Sequence, residues 1–83
     1  MHFNFYKMQK KLKEAIILKD ASVKKVQFDK IWFFDLKDMA DYLNEDLTGV
    51  EFIHLPFVVD DEKVDTKCAT IEDIERFLAD KNK

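Results

Sequence analysis

Hydrophobic and polar positions change period several times along the chain, and each change predicts an element. In HFNFY at 2–6, Phe3 and Phe5 alternate with Asn4, the period-two pattern of a half-buried strand. Met8, Leu12, Ala15 and Ile16 then recur at i, i+4, i+7 and i+8 among lysines, which predicts a helix of about three turns ending before Asp20, Ala21 and Ser22. The next stretch, SVKKVQFDKIWFF at 22–34, is rich in β-branched and aromatic residues, and a strand with Val26, Phe28, Trp32 and Phe34 on one face is expected.

At Asp35 the period returns to that of a helix. Leu36, Met39, Ala40, Leu43 and Leu47 share one stripe, Asp35 is placed to cap the first turn, and the helix is expected to stop at Thr48 and Gly49. Phe57, Val58 and Val59 form a run apolar on both faces, the pattern of a central strand. Asp60, Asp61 and Glu62 supply turn chemistry for a tight hairpin into a weaker strand around 63–67. Thr70 caps a last helix with Ile71, Ile74, Phe77 and Leu78 on one face, and Asp73 follows the cap by three positions as an imperfect capping box. The expected order is β-α-β-α-β-β-α.

Composition narrows the class. Eighty-three residues, 47% of them apolar and 13% aromatic, suit one α/β domain over 1–83 with a real core. Glycine and proline occur once each, as Gly49 and Pro56, so most of the chain should be regular. The single cysteine, Cys68, cannot form an intramolecular disulfide, which points to a reducing, cytoplasmic location. The first residues lack the run of a signal peptide, and no apolar stretch approaches the roughly 20 residues of a membrane span. Net charge is −3, but it is uneven: 7–30 holds eight lysines against Glu14, Asp20 and Asp29, whereas 35–83 holds six bases against fourteen acids. Two differently charged solvated surfaces account for this; a basic docking face is the sharper alternative.

The order of elements with one proline ahead of the third strand resembles the thioredoxin fold in its compact glutaredoxin-like form. The likeness is carried by ADYLNEDLTGVEFIHLPFVVDDEKV at 40–64, which resembles the glutaredoxin stretch from second helix through proline, apolar strand and hairpin, and by TIEDIERFL at 70–78 in the place of the last helix. It implies a three-layer thioredoxin-like domain, with Pro56 cis at the entry of a central strand beside the surface that receives extended substrates. Departures bear on function. Where active members carry Cys-x-x-Cys or Cys-x-x-Ser at the start of the first helix, this chain reads FYKMQKKLKEA, and Thr66, Lys67 and Cys68 stand where a glycine pair approaches glutathione. The resemblance therefore implies a redox-inactive, regulatory or accessory module that binds a protein, with Lys7, Lys10, Lys11, Leu55 and Pro56 as its candidate interaction surface. A second likeness, to acyl carrier proteins, rests on 35–52 and TIEDIERFL; it implies an almost all-helical interaction protein without the attachment serine, since the only serine is Ser22.

No catalytic constellation or cofactor site emerges from the residues. Cys68 precedes the last helix but has no histidine nearby in sequence and reads as an inert, buried or semi-buried thiol. His2 and His54 lack companions at metal-ligand spacing. Asp60-Asp61-Glu62 and Asp35, Asp38 and Asp41 lack the alternation and turn glycine of a calcium loop, so they read as turn and helix-surface charges. Gly49 alone makes no phosphate cradle. The lysines at 7, 10, 11 and 13 lie near Phe3, Phe5 and Tyr6, yet the cluster has no arginine and the acidic remainder opposes nucleic acid. IWFF at 31–34 is an interface hot spot or, as a small domain needs, part of the core.

Overall fold

The computed structural model describes residues 12–81, so the expected strand at 2–6, the start of the first helix, His2, Lys7, Lys10 and Lys11 lie outside the described residues. Within them the first helix, α1, is short, Glu14–Leu18, and its buried residue is Ile17. Ala15 and Ile16 of the expected stripe face water, Ile16 at 57% exposure. Two ties set this orientation: the Leu12 amide donates to Glu75 Oε2 of the last helix at 2.9 Å, and the Lys25 ammonium donates to the carbonyls of Ile17, Leu18 and Asp20 at 3.2, 3.2 and 2.7 Å. A cation there satisfies the acceptors that a helix end leaves free.

The expected single strand over 22–34 is a hairpin. β1, Lys25–Phe28, turns through Asp29 and Lys30, with φ of 55° and 67°, into β2, Ile31–Asp35. Positive φ at both loop residues is the two-residue turn whose twist matches the strands it joins. The pairing Val26↔Phe33, Gln27↔Trp32 and Phe28↔Ile31 follows. The turn shifts the pattern by one: Val26 and Phe28 share a face with Ile31 and Phe33, opposite to Trp32 and Phe34.

Asp35 ends β2 and caps the next helix, α2, Leu36–Leu43: its carboxylate accepts from the amides of Lys37 and Asp38. The helix stops at Asn44, left-handed at φ 55°, and not at Thr48; Leu47 is buried but lies beyond it. Gly49 has a different task from ending a helix. A Cβ there would lie 2.7 Å from Phe77 Cε1, so the bare backbone lets the ring pack against the core.

β3, Ile53–Val59, and β4, Glu62–Ala69, form the second hairpin, again on a two-residue turn, with Asp60 and Asp61 at φ 52° and 67°. The sheet is antiparallel throughout in the order β1-β2-β4-β3. β3 is therefore an edge strand, not the central one expected: Phe57 is buried while Val58 is 67% exposed. Pro56 sits mid-strand opposite Asp65, and the described residues contain no cis peptide bond, so the expected cis bond at a strand entry is corrected to a trans bond. Counted from the turn, Val59↔Glu62 closes the hairpin as a hydrogen-bonded pair, and the alternation turns the backbone of Pro56 toward open edge. A missing amide there removes no ladder bond, which is why proline is tolerated.

The last helix, α3, Ile71–Lys81, is as expected: Thr70 Oγ1 accepts from the Asp73 amide at 3.1 Å, and Ile71 and Ile74 are buried. Among the described residues the architecture is a small mixed α/β domain, a curled four-stranded sheet with three helices, in the order α-β-β-α-β-β-α. The helices pack on the sheet face that carries Phe34 and Ala69, where Phe34, Met39 and Ile74 are wholly enclosed. The two hairpins meet through just two pairs, Phe34↔Ala69 and Asp35↔Cys68. In that register β2 runs back past the end of β4, and β4 runs back past the end of β2, so the hairpins leave their joint in opposite directions.

Ile74→Ala is expected to cost about 2–5 kcal/mol in urea unfolding, the range for truncating an enclosed aliphatic side chain. Val58→Ala should stay within about 0.5 kcal/mol and Pro56→Ala within about 1 kcal/mol. Equal losses at Ile74 and Val58 would contradict the enclosure of the one and the exposure of the other.

Candidate functional site

The sheet face turned away from Phe34 is also apolar. Register places Val26, Phe28, Ile31 and Phe33 of the first hairpin on it, together with Ile53, Leu55, Phe57, Val59 and Val64 of the second. Part of this face is closed by the curl of the sheet. Phe57 and Cys68 are buried, and a cleft of about 270 Å³ runs between residues 24–26 at the start of β1 and Pro56–Val58 on β3, so the two outer strands approach each other. The rest is open to solvent: Phe28 is 55% exposed, Ile31 48% and Ile53 42%, while Phe52, 42% exposed just ahead of β3, stands on the other side with His54 and Lys67. Phe28 and Phe33 meet edge to face with centroids 6.4 Å apart, and Phe33 continues into a groove of about 620 Å³ walled by 48–53 and floored by Cys68 and Ala69. Glu51 and Asp73 stand at its rim, with the Arg76 guanidinium 2.7 Å from Asp73 and 4.0 Å from Glu51.

Cys68 lies at the bottom of this groove, and its surroundings make it a poor nucleophile. The side chain is fully buried, Sγ donates to the Ile53 carbonyl at 3.5 Å, and burial, aided by the charges of Asp35 and Asp65, pushes its pKa up to about 11. The thiol is therefore protonated at neutral pH.

The other candidates are accounted for locally. His54 Nδ1 lies 3.8 Å from Asp65 Oδ2, with its ring 5.6 Å from Phe52, whose face also takes Lys67 Nζ at 5.0 Å. Asp60 and Asp61 form a turn, and Asp38 accepts from both the amide and the ammonium of Lys24 at 2.9 Å. No group of three metal-ligating side chains occurs among the described residues, nor does any of their helices have the length and apolarity to cross a membrane. Leu55 and Pro56 are neighbours on β3 but point to opposite faces, Leu55 half-buried and Pro56 exposed. Their expected lysine companions at 7, 10 and 11 lie outside the described residues.

IWFF is divided by the pleat: Trp32 and Phe34 join the core, while Ile31 and Phe33 face the open side. The sequence reading missed the surface formed by Phe28, Ile31 and Ile53 with Phe52 at its margin. Its signal was the dipeptide Asp29-Lys30, a pair that tolerates a left-handed turn less readily than Asn-Gly or Asp-Gly. Set against protein-family models, curated proteins and solved structures, the chain matches none.

Alkylation of native Cys68 at about pH 8 should be at least about tenfold slower than in urea, from its smaller thiolate fraction and its burial. Equal rates in the two states would place the thiol at the surface.

Proposed function

We propose that this domain is a protein-binding module, a regulatory or accessory factor without thiol chemistry, which docks through the open part of its apolar sheet face. One observation carries the reading: Phe52 and Ile53, each 42% exposed, line a groove, and Phe28 and Ile31, 55% and 48% exposed, stand at the hairpin tip joined to it through the Phe28–Phe33 ring contact, whereas the core is closed by the helices. Large apolar side chains gathered in a groove with a polar rim are what binding surfaces offer and what isolated soluble domains seldom leave uncovered. The buried, protonated Cys68 agrees with a role without redox exchange.

A degenerate glutaredoxin-like identity within the thioredoxin fold remains part of the proposal through the likeness of 40–64 and 70–78 and the missing cysteine motif. The trans Leu55–Pro56 bond and the wholly antiparallel sheet give it no support, and the docking reading does not depend on it. Four strands speak against the almost all-helical carrier-like alternative. The acidic balance of 35–83 favours a protein over nucleic acid as partner, and the lone cysteine favours the cytoplasm.

A photo-crosslinking residue placed at position 28 or 31 in native cells should give one discrete adduct, and the same residue at position 58, on the opposite face of β3, should give none. Adducts in equal yield from 28 and 58, or none from 28 and 31, contradict docking on this face.

A further inference from the structure

We infer that the partner of this face is a second copy of the same chain, each copy seating its first hairpin in the groove of the other. The inference rests on the docking reading and names its occupant. The face holds both halves of such a contact. The turn at Asp29 and Lys30 presents Phe28 and Ile31 as a knob, 55% and 48% exposed, and the groove beside it is lined by Phe33, Phe52 and Ile53. Knob and groove adjoin through the Phe28–Phe33 ring contact at 6.4 Å, and Phe33 and Ile53 of the groove lie on the knob's side of the sheet. A two-fold axis between them brings each knob to the other copy's groove, the reciprocal contact that a symmetric dimer requires.

Area agrees with this arrangement. Large apolar side chains bury roughly 150–250 Å² each, so four of them about half exposed offer on the order of 350 Å². With Val26 and Phe33, half-buried beside them, the patch approaches the apolar share of the about 800 Å² that each partner contributes to a specific interface. Charge does not oppose the contact, because the knob carries one acid and one base, Asp29 and Lys30. The cleft between β1 and β3 is a weaker site for a partner: its wall includes Pro56, whose backbone faces the open edge without an amide to offer an added strand.

Sedimentation of the whole chain between about 1 and about 200 µM tests the inference. The parent is expected to form a dimer in this range. Phe28→Lys and Ile53→Glu should each weaken association by about thirtyfold or more, as loss of a central apolar anchor does, with the circular dichroism of the parent retained. Val58→Lys, on the other face, should associate as the parent does. An equimolar mixture of the Phe28→Lys and Ile53→Glu chains should associate again, since the new lysine of one meets the new glutamate of the other while the reverse contact stays native. A monomeric parent throughout the range, a mixture that stays monomeric, or equal weakening by Val58→Lys overturns the inference. If the parent is monomeric yet position 28 crosslinks to a protein of another mass, the dimer falls and the docking reading stands; a monomer without any adduct removes both.

Discussion

The structure depends on what happens at Asp35. This residue is the last of β2, pairs with Cys68 of β4, donates its amide to the Lys24 carbonyl at 2.9 Å and caps α2 with its carboxylate. It is 7% exposed, and its second oxygen lies 3.5 Å from Lys24 Nζ, whose ammonium also bonds Asp38 at 2.9 Å. One side chain thus ties the start of a helix to Lys24, just ahead of β1, at the point where the two hairpins meet. A carboxylate held so deeply requires partners for its oxygens, and here they are two helix amides and an ammonium. Only two residue pairs connect β2 to β4, and beside them this polar knot fixes α2 to the first hairpin.

The open face follows from the same joint. Hairpins that part in opposite directions cannot cover each other along their length, and the helices are committed to the side of Phe34. Curling brings β1 and β3 close enough to enclose Phe57, but it leaves the tip of the first hairpin and the 52–53 corner outside. The apolar groove is therefore a consequence of the topology and not of a few misplaced side chains. The edge of β3 is treated differently: proline at its middle leaves fewer donors to the outside, as edge strands that stay unpaired commonly do.

What the sequence disclosed divides along physical lines. The caps Asp35 and Thr70, the turn at 60–61 and the buried face of α3 were legible because each depends on residues within a few positions of one another. Tertiary decisions were hidden. The stripe through Leu47 continued a helical period that Asn44 cuts short, because a buried leucine serves equally well in the coil that follows. Phe57, Val58 and Val59 look like a central strand, yet an edge strand leaves Val58 in water at modest cost. The open face was concealed twice: its turn has no glycine, and a loop of two residues reverses which side of the pleat each aromatic occupies. The candidate surface at Leu55 and Pro56 came from likeness to another family, and those residues lie near the curled edge and not in the groove.

The knot at Asp35 is tested most directly by the pH dependence of stability in Asp38→Asn. Partial burial pushes the Asp38 carboxyl up, but the ammonium and amide of Lys24 outweigh it and hold it below its ordinary value, while the same hydrogen bond raises Lys24. A depressed carboxyl stabilises the fold at pH above the unfolded value of about 3.9, and the contribution is lost as pH falls through the lower folded value. Lys24 is 43% exposed, so solvent screening limits the pair to about 1 kcal/mol. Urea unfolding should show the parent more stable than Asp38→Asn by about that amount at neutral pH, with the gap closing below about pH 3. A gap that is absent at neutral pH, or that stays constant into acid, would contradict the account of how α2 is held to the first hairpin.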